Sequence, residues 1–242
     1  MRGNNMIDNY VIVDLETTGL NPADDKIIEI GAIKIRADRE PEVYNVFVNP
    51  GIPIGRKIQE ITGITDDMVR DAAAIEEIIG DFAAFTEDLP LLGHNLRFDY
   101  GFLKTAAAAN RIKFDKQGVD TLTIARKYLP DLKSRRLDIL CEYFGIEDEQ
   151  HHRAWNDAKV TGELYHILWE KFGQEPQAEK DFSPKTMMFT VKKTSPITAK
   201  QAGFLKALLI QHGITPDYEI GELTKSEASK KIDAIISQFG RY

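Results

Sequence analysis

Val11-Ile12-Val13-Asp14-Leu15-Glu16-Thr17-Thr18-Gly19 is the stretch on which the fold of this 242-residue chain turns. An apolar, β-branched run of strand character ends in two carboxylates spaced i, i+2. Alternate side chains of a strand share a face, so Asp14 and Glu16 stand side by side. Two like charges at such close quarters repel, and nothing in the adjacent sequence neutralises them. Hard divalent cations such as Mg²⁺ or Mn²⁺, which prefer carboxylate oxygen, are the usual remedy.

Outward from that strand, Gly19-Leu20-Asn21-Pro22 signals a turn, and apolar alternation resumes over 27–35 and 43–48. Connections this short leave no room for a crossover helix, so the three strands form an antiparallel meander. Helical patterns follow at 65–70 and 75–85, then a short strand at 89–93 and a helix at 98–110 rich in alanine. Further helices fit 121–128, 136–144 and 154–172, the last stopped by Gly173. Strands first, then strands interleaved with helices, imply an α/β fold: a mixed sheet with helices packed on its faces.

Residues 173–196 carry Pro176, Pro184, Pro196 and many polar groups and read as a linker, although Met187-Met188-Phe189 is apolar enough to dock on something. Beyond it, Thr198-x-x-Gln201 and Thr224-x-x-Glu227 match capping boxes ahead of amphipathic runs. A small helical tail module at 197–242 is expected, with helices near 197–212 and 225–237 and Gly213 past the end of the first.

A hydrophobic content of 43% and a charged content of 29% are those of a soluble globular protein. No apolar run is long enough to cross a bilayer, and residues 1–10 are too polar for a secretory signal, so no membrane partner and a cytoplasmic location are expected. Cys141, the single cysteine, lies on an amphipathic run as a packed core thiol. A net charge of −7 argues against a general nucleic-acid coat protein. The charge is uneven: nine Lys/Arg against five Asp/Glu make residues 183–242 basic (+4), leaving −11 on residues 1–182.

Two more acids stand out. Asp99, in His94-Asn95-Leu96-Arg97-Phe98-Asp99, falls where a strand end turns into a helix, on a stripe shared with Leu103 and Ala106. Asp157 shares its face of the long helix with Ala154, Thr161, Leu164 and Leu168. A carboxylate on a buried stripe is costly unless it is paired or bound to a cation. Taken singly, each is an ordinary helix cap or dipole partner. Together, the four fit a site for two metal ions about 3.5–4 Å apart, the usual device for in-line displacement at phosphorus. A base near neutral pKa must then take the water's proton. His152, five residues before Asp157, belongs on the loop leading into the helix, free to swing over the metals.

At these residues the chain resembles a known family. Asp14-Leu15-Glu16-Thr17-Thr18-Gly19-Leu20, His94-Asn95-Leu96-Arg97-Phe98-Asp99 and His152-Arg153-Ala154-Trp155-Asn156-Asp157-Ala158 look like the three motifs of the DEDDh, or DnaQ-like, 3′→5′ exonuclease superfamily. The branch it resembles holds the proofreading ε subunit of bacterial DNA polymerase III and the PolC-type exonuclease domain. Order and spacing agree over residues 8–172. The resemblance implies a ribonuclease H-like fold for an exonuclease domain at 1–172 and Mg²⁺- or Mn²⁺-dependent release of nucleoside 5′-monophosphates. By position, Asp14, Glu16, Asp99 and Asp157 would hold two metals and His152 would be the general base, with His151 as its rival one residue out of register. Thr17, Gly19, Leu20, Thr62 and Phe98 would contact the terminal nucleotide, although many relatives carry histidine where Thr62 stands and Phe98 serves equally as helix core. Glu29 recurs in the family in a structural hydrogen-bonding role.

The implied substrate is a single-stranded or frayed 3′ end, with DNA favoured and RNA trimming as the enzymatic alternative. A non-catalytic module that holds nucleic-acid ends or a partner is the alternative of another class. The tail either tethers the nuclease to a DNA polymerase or other replication partner, or packs back on the body.

Overall fold

The computed structural model describes residues 6–148, 152–191, 195–216 and 218–240; His151, the rival base, lies outside them. The first compact unit, Met1–Val191, contains β1 (Tyr10–Thr17), β2 (Ile27–Arg36), β3 (Arg39–Phe47), α1 (Arg56–Thr62), α2 (Asp66–Val69) and α3 (Ile75–Thr86). It continues with β4 (Leu91–Gly93), α4 (Arg97–Ala109), β5 (Gln117–Asp120), α5 (Thr121–Tyr128), α6 (Leu137–Phe144), α7 (Ala154–Phe172), α8 (Ala178–Phe182) and β6 (Lys185–Thr186). One mixed sheet runs β3-β2-β1-β4-β5-β6. The first three strands form the expected antiparallel meander, β4 and β5 add in parallel, and β6 closes the edge antiparallel to β5.

β1 is central, and its alternation serves two cores. Tyr10 and Ile12 face one way, into a cluster with Ala158, Leu164, Tyr165 and Leu168 of α7. Val11, Val13 and Leu15 face the other, among Ile79 and Phe82 of α3 and Tyr100 and Leu103 of α4. Asp14 and Glu16 therefore emerge on the α7 side, at the C-terminal end of the strand. Two glycines let α7 lie close to the sheet. A Cβ on Gly162 would come within 2.7 Å of Ile12 Cδ1, and one on Gly31 would overlap the backbone of Ala154 and Trp155.

One element was unforeseen and one expectation needs correcting. The stretch 56–62 forms α1, a helix without a clear apolar period in the sequence. The stretch read as a linker is built into the first unit over most of its length. Ala178 and Phe182 of α8 are buried, with Phe182 against Tyr128, Tyr165 and Trp169. β6 then pairs with β5, and Met187 and Phe189 pack on the second core while Met188 stays exposed. Anchors this sparse show no period, whereas the prolines between them do show.

The second unit, Lys192–Tyr242, has a core of its own. α9 (Ala199–Gln211) and α10 (Lys225–Phe239) contribute Leu205, Leu208, Leu209, Ala228, Ile232 and Ile235. Both capping boxes form: Thr198 Oγ1 accepts from the Gln201 N–H and Thr224 Oγ1 from the Glu227 N–H, each at 3.2 Å. Gly213 takes the left-handed conformation after α9, at φ 63°.

Candidate active site

β1 pairs with β4 only through Val11–Leu91 and Ile12–Leu92, and β4 ends at Gly93. Past that point the N–H of Leu15 has no strand neighbour on this side. It donates instead to Asp99 Oδ1, 3.1 Å away at the start of α4. Asp99 is thus tied to β1 between Asp14 and Glu16, and it is buried. Directly after Glu16 the β1–β2 register shifts, which turns the strand end away from the sheet.

Asp157 comes from the opposite direction, one turn into α7 and buried. The position of that helix start is fixed by Glu29 on β2. Its carboxylate accepts from Arg153 Nη2 at 2.8 Å, from Arg153 Nε at 3.3 and 3.2 Å, and from the Ala154 N–H at 3.1 Å. An anion at a helix N-terminus also complements the helix dipole. His152 precedes this lock with a left-handed backbone, φ 64°, and is half-buried. The result is convergence: one donor atom each of Glu16, His152 and Asp157 lie within 4.8 Å of one another. Asp14, His152 and Asp157 line one cleft of about 780 Å³.

The electrostatics follow from this crowding. Burial, then the charges of Asp99, Asp157, Glu16 and Glu29, hold the Asp14 carboxyl well above the ordinary carboxylate range. Glu16 is pushed up to about 9 by burial and by Asp157, Glu29 and Asp99, with Arg153 pulling the other way. Asp99 is raised by burial, against hydrogen bonds from its own N–H and that of Leu15. Without a cation the cluster prefers to keep protons. Carboxylate oxygens and one imidazole, gathered where only positive charge relieves them, are a donor set that fits hard divalent ions.

The residues expected to touch the nucleotide are scattered. Leu20, 85% exposed, lines the cleft. Ahead of it in the chain, the Thr17 hydroxyl donates to the Gly19 carbonyl at 2.6 Å. Phe98 is half-buried against Phe102, ring centroids 5.0 Å apart, in the helix-core role. Thr62 departs furthest from expectation. Its buried hydroxyl donates to Ile58 O at 3.0 Å and accepts from the Ile64 N–H at 3.1 Å, so it is spent on its own turn.

Much of the cleft's lining lies outside the three motifs. Beside His94 and Asn95 of the second motif it holds Arg126, Lys133, Ser134, Arg135, Arg136 and one further acid, Asp138. His94 Nε2 lies 2.8 Å from the Arg135 carbonyl and Nδ1 lies 2.9 Å from Thr121 Oγ1. A carbonyl only accepts, so Nε2 carries the proton, and burial lowers the ring's basicity and favours that neutral form. Asn95, left-handed at φ 64°, has its N–H bound by Asp120 Oδ1 at 2.9 Å. The available signal was Lys133-Ser134-Arg135-Arg136, three cations in four residues of an acidic body.

Residues 11–165 match the RNase T family model, whose description is exonuclease. The chain is 41% identical over 162 residues to the PolC-type DNA polymerase III of Caldanaerobacter subterraneus subsp. tengcongensis, covering 67% of this chain and 12% of that protein. To the PolC-type DNA polymerase III of Pediococcus pentosaceus it is 34% identical over 238 residues, covering 94% of this chain and 17% of that one. The chain therefore spans well under a fifth of the length of these relatives. Among solved structures, exonuclease I superposes with a TM-score of 0.61 at 23% identity, over 72% of this chain and 43% of that one, a likeness of fold.

Proposed function

The chain belongs to the RNase T exonuclease family, and we propose that it is a metal-dependent 3′→5′ exonuclease that removes nucleoside 5′-monophosphates from single-stranded or frayed DNA ends. The observation that carries this is the convergence of Glu16, His152 and Asp157 within 4.8 Å, in the same cleft as Asp14. DNA is favoured because the relatives that cover the chain are DNA polymerases, which also supports a cytoplasmic setting beside replication.

Asp14, Glu16, Asp99 and Asp157 would hold two divalent ions. Bound there, the ions supply a nucleophile at neutral pH and stabilise the leaving 3′-oxygen. The carboxylates then stay ionised, because the protons they would otherwise keep are displaced. His152 takes the proton of the attacking water, and its place on the loop ahead of α7 lets the imidazole approach from the open side of the cleft. Glu29 and Arg153 touch no reacting atom; they position His152 and Asp157 on either side of the lock.

The test is metal-dependent release of mononucleotides from a 3′-labelled single strand, with EDTA as control and DNA and RNA strands compared. Asp14→Ala should abolish release while the fold survives, and wild-type activity in that variant would sink the site. His152→Ala should cost about 10²–10⁴-fold in kcat, the usual worth of a general base. If His151→Ala is the damaging change instead, the base is misassigned. Faster cleavage of the RNA strand would move the substrate to RNA.

A further inference from the structure

The cleft has two unlike walls. One is the acidic cluster; the other is a loop and helix end where residues 126–136 hold five cations and one anion, within a first 182 residues of net −11. Not all five are available. Lys127 is engaged with Gln177 and Asp181. Arg135 turns inward, its Nη2 donating to the carbonyls of Leu129, at 2.6 Å, and Pro130, with Nε also on Leu129 at 3.1 Å. It thereby closes the loop on itself, and His94 pins its carbonyl from β4's end. The loop is therefore braced at both ends.

Arg126 in the last turn of α5, and Lys133 and Arg136 on the braced segment, are all exposed and all line the cleft. Among the described residues neither Arg126 nor Lys133 has an ion pair or side-chain hydrogen bond. Arg136 pairs with Asp138 at 3.0 Å in an exposed setting, where such a pair is weak and easily exchanged. A polyanion approaching an acidic body needs cations along its path, and these three line the same cleft as Asp14, His152 and Asp157.

We propose that Arg126, Lys133 and Arg136 form a phosphate-binding wall that grips the backbone of the substrate strand on the 5′ side of the nucleotide being removed. This rests on the exonuclease reading for the position of the 3′ end. The cations meet phosphates, so they are blind to base identity. The wall gives an acidic enzyme purchase on a strand of any sequence.

Two measurements test it on the full chain. One is binding of a dT15 oligonucleotide in EDTA, followed by fluorescence anisotropy over a salt series. The other is KM for that strand with metal, set beside KM for thymidine 5′-p-nitrophenyl phosphate, which has a scissile ester and no upstream phosphates. For Arg126→Ala/Lys133→Ala, with Arg136→Ala added in a second variant, the slope of log K against log salt should flatten by about 0.7 for each cation removed. At 0.1 M salt that is about a fivefold weakening of affinity for each cation. KM should rise more on the strand than on the ester, and Arg126→Lys/Lys133→Arg should restore both. Arg56→Ala, at a fully exposed site on α1, should leave the slope alone.

An unchanged slope in the double and triple variants, or an equal rise of KM on both substrates, overturns the wall. So does equal flattening by Arg56→Ala. Wild-type protein that binds the strand with the expected slope but cleaves neither substrate would instead fail the exonuclease reading and leave the wall standing.

Discussion

Glu29→Ala should damage the protein in two separable ways. The Glu29 side chain is 2% exposed and Arg153 is 32% exposed. Removing the carboxylate deprives the Ala154 N–H of a charged acceptor, a bond worth about 1.5–3 kcal/mol. Orphaning a fully buried partner charge would cost about 3–5 kcal/mol, but Arg153 can turn its exposed head to water, so most of that is recovered. The net loss is about 2–4 kcal/mol. For a unit of this size each kcal/mol moves Tm by about 2–4 °C, so the melt should fall by about 4–16 °C.

Glu29→Gln keeps an acceptor for the N–H and loses the charge, so it should fall between the two. Catalysis should suffer beyond stability, because His152 and Asp157 flank the lock and a misplacement of about 1 Å can cost 10²-fold. Circular dichroism melts and kcat at a temperature where both proteins are folded would separate the effects. A Glu29→Ala protein that melts within about 2 °C of wild type and turns over normally would refute the claim that Glu29 sets the start of α7.

Metal-free protein should lose stability as pH rises. Glu16 keeps its proton to about 9 when folded but only to its ordinary 4.5 when unfolded, so between these values the native state binds the extra proton. Stability then falls with rising pH by up to about 1.4 kcal/mol per unit from this carboxyl, and Asp14 and Asp99 act in the same direction. Added Mg²⁺ or Mn²⁺ should raise Tm most at the alkaline end; a metal-free Tm that climbs from pH 6 to 9 would contradict this. A chain cut after residue 191 should fold and retain activity on short strands, whereas one cut after 172 loses the buried Phe182 and β6 and should be less stable by at least about 3 kcal/mol in urea titration.

The parts legible in the sequence were those that local periodicity encodes. The meander, α5 and α7, and the capping boxes at Thr198 and Thr224 each follow from a pattern contained within the element. β5 escaped because four residues, Gln117 to Asp120, carry no alternation of their own and become a strand only beside β4. α8 and β6 escaped for the same reason, since Phe182 and Met187 find their partners far away in sequence. Thr62 shows the limit of inference by position: a residue aligned with a nucleotide-binding one can be turned inward by the turn it sits in.

Total charge misleads in the same way that total hydrophobicity does. At −7 the chain looks ill suited to a polyanion, yet acidic and cationic side chains line the same cleft. Each wall depends on the other. Carboxylates packed tightly enough to hold cations either keep protons or repel a phosphate strand until those cations arrive. Cations packed as tightly would hold product as firmly as substrate. Under the exonuclease reading proposed above, the acidic side would handle the scissile phosphate and the basic side the phosphates behind it. His94 joins β4's end to the Arg135 carbonyl and so braces the cationic segment against the sheet. With Nε2 on the Arg135 carbonyl and Nδ1 on Thr121 Oγ1, its place in the second motif, five residues before Asp99, serves that bracing.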